Sequence, residues 1–579
     1  MSIVDQIKSA AILGLAKNPV AITGTMGAGN VLTASLRTGF SATGFQWTRN
    51  GSDISGQTAS TYTQLTSDRG AVIGCRAIGL SYAGTGGTVP VVAPGAPTGV
   101  SASAGNGSVT STFTAPADNG GSAITGYQMK VYRASDNAYL GGTNGSASPL
   151  TLNGLTNGVA VYVTVTAVNA IGVGTPSAAS GNVTPSLPLV MRAVSDRLYV
   201  HQYRSTTSKY MGGYRTIKIL SAVSALEAEF ANWFVDGYGG PGQTYTELGS
   251  GGPANWTASV EYPAGTFTQF KTSGNNATLT LADGAQGTMY ASVAIPAGVE
   301  AKIHFLQAQT GSGFVVHAGG VTASGTAGTT TTSTNVKDTL RASASAITDA
   351  TMTGNWAAAG GNNASGNACG PIRISALTSK PSVLILGTSI DHGEGGTELT
   401  VYNSGLSSQQ LSDAALGFSN GGIRGDSVNT FMASNAKRVA LGNSGYYSHI
   451  LFGGPVNDIL LTSQTAAQIF ANLRSQWALF PGKKLLQQTM TPLSSTTDGQ
   501  TPIARAQVWR DLNDMIRNNT DGVIVLDVAK VLEAPVAAGQ PESCQWITAA
   551  STFDGTHPSN NGYDICRSSG VIDTSKITV

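Results

Sequence analysis

The chain has 579 residues, which is too long for one hydrophobic core and predicts roughly three to five domains. Only 11% of the residues are charged, and 32 Lys and Arg balance 31 Asp and Glu, so neither a basic run nor a nucleic-acid surface is expected. A hydrophobic fraction of 41% argues against a disordered chain, and 74 Gly with 22 Pro favour short strands joined by many turns.

Residues 1–18 carry a short apolar patch, but Asp5 lies where a signal peptide has a basic region. The patch is also too short to span a membrane. The sequence therefore predicts an amphipathic N-terminal docking segment, with neither a signal peptide nor membrane insertion.

The four cysteines have no metal-like spacing and no C-x-x-C pair; they are Cys75, Cys369, Cys544 and Cys566. Isolated buried thiols are the simpler interpretation, and a Cys544–Cys566 bridge stays open. No cluster of His, Asp and Glu has metal spacing either, so no metal or cofactor is expected.

Residues 19–93 alternate apolar and polar positions in short segments separated by Gly, Asn and Asp, which predicts strands. Trp47 lies in one segment and Cys75 in a later one. This pattern resembles an immunoglobulin-like sandwich of bacterial and phage surface proteins, in which a buried Trp packs against a Cys. A second cysteine is missing, so Cys75 is predicted to be a free thiol in the core.

Residues 94–187 follow the Pro/Gly linker APGAPTGV and resemble a fibronectin type III module. Pro97 and Val100 carry the resemblance at its start. Leu155 and Tyr162 fit a tyrosine corner, before an alternating strand. The resemblance implies a second β-sandwich that acts as a spacer or adhesive unit without chemistry.

Residues 188–375 alternate β-type segments with Gly- and Thr-rich loops, which predicts a sandwich or jelly-roll-like β-rich domain. Trp233, Tyr238 and Tyr245 could stack on sugar rings, as in a carbohydrate-binding domain, or pack in the core. His304, on an apolar strand, is expected to be a core or surface histidine and not a ligand.

Residues 376–579 show a different pattern, in which apolar strand-like runs alternate with helical segments. In one helical segment Ile469, Leu473 and Trp477 recur at helical spacing. Alternation of strands and helices predicts a three-layer α/β domain with a parallel sheet, where sites lie at the carboxyl ends of the strands.

Four short blocks with reactive or small residues occur in order in this last domain. They are LILGTSIDHG with Ser389, NGGIRGDSVNTFM with Gly425, ILFGGPVNDI with Asn457, and FDGTHPSNNGY with Asp554 and His557. A serine hydroxyl is a weak nucleophile that needs a base. His557 can accept its proton, and Asp554, three positions earlier, can orient the imidazole from the same loop.

The order and context of the four blocks resemble the SGNH (GDSL-type) hydrolases over about residues 381–570. The resemblance implies a triad of Ser389, Asp554 and His557 and no cofactor. It assigns the oxyanion hole to the backbone N–H groups of Ser389 and Gly425 and to the Asn457 side-chain amide.

The literal tripeptide GDS lies elsewhere, at Gly425 to Ser427. Ser427 follows a polar, Gly-rich loop and no apolar strand, so Ser389 is the better nucleophile and Gly425 fits the second block. The family usually has Asp before its nucleophile, where this chain has Thr388. His392 could line the pocket or lie on the surface.

The expected function is a serine esterase, specifically a carbohydrate O-acetylesterase acting on acylated host surface polysaccharide. The company of β-modules is typical of a phage tail fibre or virion-surface protein, which implies other virion proteins as partners and a homo-oligomer such as a trimer. Two alternatives stay open: a structural adhesin whose hydrolase domain only binds glycan, and a lipase or thioesterase.

Overall fold

The structure, a computed structural model, describes residues 19–80, 83–196, 198, 201, 203–204, 207–236, 245–317, 339–356, 362–363, 370–392, 406–423, 425–494, 501–536, 542–552 and 556–578. The predicted docking segment 1–18 lies outside them. The chain divides into two compact units, Met1–Pro188 and Leu189–Val579. Among the described helices, none has the length and hydropathy needed to cross a membrane.

The first sandwich is immunoglobulin-like and lies within residues 19–93. Its strands are β1 (Val20–Thr23), β2 (Val31–Leu36), β3 (Phe45–Arg49), β4 (Ser52–Asp53), β5 (Thr61–Thr63), β6 (Val72–Ala77) and β7 (Ala83–Thr88). The two sheets have the orders β1-β2-β5 and β4-β3-β6-β7. Trp47 and Cys75 are directly opposite on β3 and β6, and both are fully buried. Cys75 is a free thiol, as predicted.

The second sandwich lies within residues 94–187. Its strands are β8 (Thr98–Gly105), β9 (Ser108–Thr114), β10 (Ile124–Arg133), β11 (Tyr139–Gly145), β12 (Leu150–Asn153) and β13 (Val161–Asn169). The sheets have the orders β12-β9-β8 and β11-β10-β13. Val161, Val163 and Val165 of β13 are buried, as the alternation predicts. The Tyr162 hydroxyl donates to the Asn137 side chain at 3.0 Å and not to upstream backbone, so the expected tyrosine corner is not formed.

The second unit begins with a β-rich domain. Its strands are β14 (Val190–Ala193), β15 (Tyr203–Arg204), β16 (Tyr210–Lys218), β17 (Leu226–Ala231), β18 (Trp233–Asp236), β19 (Thr246–Gly249), β20 (Ala254–Glu261), β21 (Phe267–Gln269), β22 (Thr278–Leu281), β23 (Gln286–Ala291), β24 (Glu300–Gln309), β25 (Val316–His317), β26 (Thr339–Ser343), β27 (Asn362–Asn363) and β28 (Arg373–Thr378). The larger sheet has the order β21-β20-β24-β16-β26-β27, with β22 paired to β20, and the smaller has the order β14-β28-β17-β23. The predicted domain boundary at 375 falls within β28.

The aromatic residues proposed for sugar stacking belong to the core where they are described. Trp233 and Tyr245 are 0% and 3% exposed, so neither ring offers a face to a sugar. Tyr238 lies outside the described residues. His304 is also buried: it lies 2.8 Å from Glu261 and accepts a hydrogen bond from the Trp356 indole, which makes it a core histidine.

The C-terminal domain is α/β, as predicted. Its strands are β29 (Ser382–Leu386), β30 (Gly417–Asn420), β31 (His449–Phe452), β32 (Lys484–Gln488) and β33 (Ile524–Leu526). Its helices are α1 (Ser389–His392), α2 (Ser408–Asp413), α3 (Val428–Ala433), α4 (Ala436–Asn443), α5 (Val456–Leu461), α6 (Ala466–Trp477), α7 (Ala506–Arg517), α8 (Val528–Leu532) and α9 (Asn560–Ser569). Ile469, Leu473 and Trp477 of α6 are buried, which confirms the helical spacing.

The five strands form one parallel sheet with the order β30-β29-β31-β32-β33. The first strand, β29, lies between β30 and β31, so the direction of the strand order reverses beside it. In open α/β sheets, the crevice at the carboxyl end of such a reversal is where ligands bind. A binding site is therefore expected at the loops after β29, β30 and β31.

The β-rich and α/β domains share structure within the second unit. Trp233, Val235 and Tyr245 of the β18–β19 region belong to the same hydrophobic core as Leu386 and Phe431 of the α/β domain. In addition, Phe418 and Asn420 of the edge strand β30 donate backbone hydrogen bonds to the carbonyls of Ser195 and Leu198, at 3.0 Å and 2.7 Å. The β-rich domain thus covers an edge that would otherwise be unpaired.

Candidate active site

Ser389 lies just beyond β29, the strand beside which the strand order of the parallel sheet reverses. All five residues of β29 are buried, and the chain turns at Gly387 before Ser389 begins α1. Glycine is required at 387 because a Cβ there would lie 2.0 Å from the Asp391 carboxylate. The turn places the serine at the carboxyl edge of the sheet, with only 6% of the residue exposed.

His557 comes from the loop that precedes α9. The Thr552 hydroxyl donates to the His557 carbonyl at 3.0 Å, and the Tyr563 hydroxyl of α9 donates to the Ile390 carbonyl at 3.1 Å. These contacts fix the loop against α1. As a result, His557 Nε2 lies 2.8 Å from Ser389 Oγ, although 168 residues separate them in sequence. This is the distance at which a base can accept the hydroxyl proton.

Two predicted residues of the site fall outside what the structure describes. Asp554 is not among the described residues, so its role in orienting His557 stays a prediction. The same holds for the side chain of His392. Thr388, where the family has Asp, is buried, and its hydroxyl accepts from the Ile390 backbone N–H at 3.4 Å.

Gly425 and Asn457 follow β30 and β31, the two strands that flank β29, Gly425 in a loop and Asn457 at the start of a helix. Gly425 has a φ of 77°, a conformation that favours glycine. Asn457, in the first turn of α5, donates from its side-chain amide to the Asp426 carbonyl at 2.7 Å. This contact brings Asn457 to the residue next to Gly425. A primary amide has a second N–H, so Asn457 keeps a donor for a substrate oxygen. The oxyanion-hole assignment stays a prediction.

Ser427 has a structural task that accounts for the literal GDS. It is the N-cap residue of α3, where its hydroxyl accepts from the Thr430 backbone N–H at 3.1 Å. The Ser427 hydroxyl also lies 3.0 Å from the Thr430 hydroxyl. Ser427 therefore caps a helix, whereas the His557 imidazole lies next to Ser389.

Asp391 is a buried acid of the site that the sequence did not single out. Its carboxylate accepts from Gln488 at 3.0 Å and from the Thr388 backbone N–H at 3.4 Å, and burial raises its pKa to about 6. It occupies a space that a Cβ at Gly387 or Gly453 would fill. The only signal in sequence was its position two residues after Ser389, since the partners come from other strands.

Asp458 is a second buried acid that the sequence did not single out. Its carboxylate accepts from the backbone N–H groups of Val428 and Asn429 at 2.8 and 3.2 Å, at the start of α3. Burial raises its pKa to about 6. Asp458 therefore ties the Asn457 block to the Gly425 block. Its place directly after Asn457 was the one signal available.

The described part of the chain contains neither a metal-binding cluster nor a Cys544–Cys566 disulfide. Within the described ranges, no group of three or more His, Cys, Asp or Glu side chains could hold a metal ion. Cys544 and Cys566 are both buried free thiols, so the bridge left open by the sequence is not formed. Burial raises their pKa values to about 11 and about 12, which keeps both thiols protonated.

Comparisons with known proteins identify one module of the chain. A family model, "Fibronectin type III domain", matches residues 95–182, which confirms the module predicted over 94–187. No curated protein matches the chain.

Several solved structures match parts of the chain. The titin kinase with its flanking domains is 28% identical over 16% of this chain and 17% of that one, with a TM-score of 0.16. Titin domains A168–A170 are 18% identical over 29% and 60%, with a TM-score of 0.18. The chain thus spans less than two thirds of either titin structure. A member of the lipolytic protein G-D-S-L family from Veillonella parvula DSM 2008 is 18% identical over 34% of this chain and 98% of that one, with a TM-score of 0.27.

Proposed function

We propose that the second unit is a serine ester hydrolase, with Ser389 as nucleophile and His557 as base. The observation that carries the proposal is the 2.8 Å distance between Ser389 Oγ and His557 Nε2. This pair lies at the carboxyl edge of a parallel sheet, beside the reversal of strand order. The order of the four sequence blocks, which resembles the SGNH hydrolases, supports the same assignment.

The proposed reaction proceeds through an acyl-enzyme. Ser389 Oγ forms a bond to the ester carbonyl carbon while its proton moves to His557 Nε2. The negative charge on the carbonyl oxygen is stabilised by the N–H groups of Ser389 and Gly425 and by the Asn457 amide. His557 then gives the proton to the leaving alcohol oxygen, and an acyl-enzyme remains. Water attacks the acyl carbon while His557 accepts its proton. The bond between that carbon and Ser389 Oγ then breaks, His557 returns the proton to Oγ, and the carboxylic acid leaves. Asp554 holds the imidazole in the required tautomer.

The proposed substrate is an O-acetylated polysaccharide on a host cell surface. The low charge of the chain and the absence of a lid-like apolar segment in its sequence favour a polar substrate over a lipid. Immunoglobulin-like and fibronectin type III modules before a hydrolase domain favour a tail fibre or another virion-surface protein, assembled as a homo-oligomer. This placement rests on the company of modules and not on the site.

The test compares acetate release from acetylated polysaccharide and from p-nitrophenyl acetate by the wild type and by Ser389→Ala. We expect the variant to lose at least about 1000-fold in kcat and to stay folded, because only one hydroxyl is removed. Equal activity of the two proteins would refute the nucleophile. A wild type that binds the glycan but releases no acetate would favour an adhesin. A preference for long acyl chains in an ester series would favour a lipase or thioesterase.

A further inference from the structure

A row of buried charges joins the β-rich domain to the loop that carries Gly425. Arg438 of α4 lies between Glu247 of β19 and Asp426, with ion-pair distances of 3.0 Å to Glu247 and 2.5 Å to Asp426. The side chains of Glu247, Arg438 and Asp426 are 4%, 1% and 5% exposed. The attraction between buried charges repays the cost of leaving water only where the geometry is good and further hydrogen bonds are made. The short ion-pair distances of Arg438 meet the first condition.

Glu247 supplies the N-terminal cap of α4 from outside the α/β domain. The N-cap residue Asn435 makes no side-chain capping hydrogen bond. Instead, the Glu247 carboxylate accepts from the backbone N–H groups of Lys437 and Arg438 at 2.5 Å and 3.0 Å. A carboxylate at a helix N-terminus satisfies orphan donors and complements the helix dipole. The position of α4 therefore depends on a strand of the β-rich domain.

The Arg438 guanidinium continues the row toward the site. Its Nε donates to Glu247, Nη1 donates to Asp426, and Nη2 donates to the Ser434 carbonyl at 2.7 Å. The guanidinium also lies 4.5 Å from the centre of the Phe431 ring. A planar group with donors engaged on three sides holds one orientation, so it transmits the position of Glu247 to Asp426.

Asp426 connects this row to the proposed oxyanion hole. Its backbone carbonyl accepts from the Asn457 amide at 2.7 Å, and its carboxylate accepts from the Thr430 hydroxyl at 2.5 Å. It follows Gly425 directly in the chain. A shift of Asp426 would therefore move two of the three predicted oxyanion donors, the Gly425 N–H and the Asn457 amide, at once.

We infer that Glu247 and Arg438 are positioning residues of the esterase, so that the β-rich domain is a working part of the active site. This inference rests on the proposed function. Neither residue touches the reacting atoms; they hold Asp426, and through it the donors that receive the developing negative charge. When such donors are misplaced, the rate of the chemical step falls by a larger factor than the affinity for the substrate.

The test uses Glu247→Gln, with Glu229→Gln as a matched control. Glu229 lies in the same domain, has a side chain that is 8% exposed, and pairs at 2.8 Å with the buried Arg373, away from the Gly425 loop. Both variants lose a buried carboxylate and should lower the urea midpoint. Only Glu247→Gln should lower kcat for p-nitrophenyl acetate, by about 10- to 100-fold, with a smaller change in KM. It should also weaken inhibition by a boronic acid, which mimics the tetrahedral oxyanion.

Arg438→Lys, measured in parallel, keeps the positive charge but loses the planar fork, and it should lower kcat in the same way. Equal kcat in the wild type and in either folded variant, Glu247→Gln or Arg438→Lys, would overturn the inference, as would an equal kcat loss in Glu229→Gln. The wild type and Ser389→Ala separate this outcome from a failure of the proposed function. If the wild type hydrolyses esters and Ser389→Ala does not, the proposed esterase function is supported, whatever the effect of Glu247→Gln.

Discussion

At the scale of single residues, the buried carboxyl of Asp391 makes the stability of the folded protein depend on pH. Its partners Gln488 and the Thr388 N–H are neutral, and their hydrogen bonds offset only part of the cost of burying its charge. The folded-state pKa of about 6 lies above the ordinary value of 3.8. The folded protein therefore holds the proton more tightly than the unfolded chain. The stability that this provides is complete below about pH 4 and is lost as the pH rises through about 6.

Asp391→Asn should remove this pH dependence. A pKa difference of about 2 units corresponds to about 2 kcal/mol of unfolding free energy lost by the wild type between pH 4 and pH 7. The variant carries a neutral side chain throughout and should lack that part of the decline. Urea unfolding at pH 4, 5, 6 and 7 measures it. Asp514→Asn, at a side chain that is 66% exposed, is the control and should follow the wild type. Parallel curves for wild type and Asp391→Asn would rule out a buried carboxyl with a raised pKa.

At the scale of elements, α3 shows why the literal GDS occurs in this chain. Ser427 caps the helix, and Asp458 accepts from the next two backbone N–H groups. The helix has only the six residues Val428–Ala433, so its first turn is a large part of it. Capping of this turn fixes the direction in which the Gly425 loop enters the helix. Local helix geometry is therefore sufficient to explain the serine at this position.

Ser427→Ala should cost about 1 kcal/mol of stability through the lost cap, while esterase activity stays within a few-fold of the wild type. Thr465→Ala is the matched control, because Thr465 caps α6 in the same way, accepting from the Gln468 N–H at 3.3 Å. Both variants should lower the urea midpoint by similar amounts. An activity loss in Ser427→Ala as large as that of Ser389→Ala would return the nucleophile to Ser427.

At the scale of the whole molecule, the compact unit Leu189–Val579 contains both the β-rich and the α/β domain. The α/β domain takes part of its core from Trp233, Val235 and Tyr245, and its edge strand β30 is paired by Ser195 and Leu198. A chain of residues 376–579 would expose that apolar surface and that edge. The smallest part expected to fold is therefore the whole second unit.

We expect residues 189–579 alone to keep the esterase activity of the full chain within a few-fold, since Ser389, His557 and the Glu247–Arg438 row all lie within them. Residues 376–579 alone should be insoluble or show no cooperative unfolding. Circular dichroism, urea unfolding and p-nitrophenyl acetate hydrolysis compare the two. A folded and fully active 376–579 would contradict the role given to the β-rich domain.

The succession of two sandwiches, a β-rich domain and a parallel α/β domain could be predicted from the sequence alone, because strand alternation and helical spacing are local patterns. The sequence also singled out Ser389, Gly425, Asn457 and His557, since each lies in a short block beside a strand or helix signal. His557 Nε2 lies 2.8 Å from Ser389 Oγ, as expected if the two residues act together. The variants described above test their catalytic roles.

The buried charges around the candidate site could be located only in the folded structure. Glu247 lies 191 residues before Arg438, and Asp391 is enclosed by Gly387, Gly453 and Gln488 from separate segments. No local pattern links such residues, because their contacts arise from the packing of one domain against another. The same packing buried Trp233 and Tyr245, which the sequence left open as sugar-stacking residues. Burial and long-range contact are properties of the folded chain, and they set the charges, the pKa values and the position of the Gly425 loop.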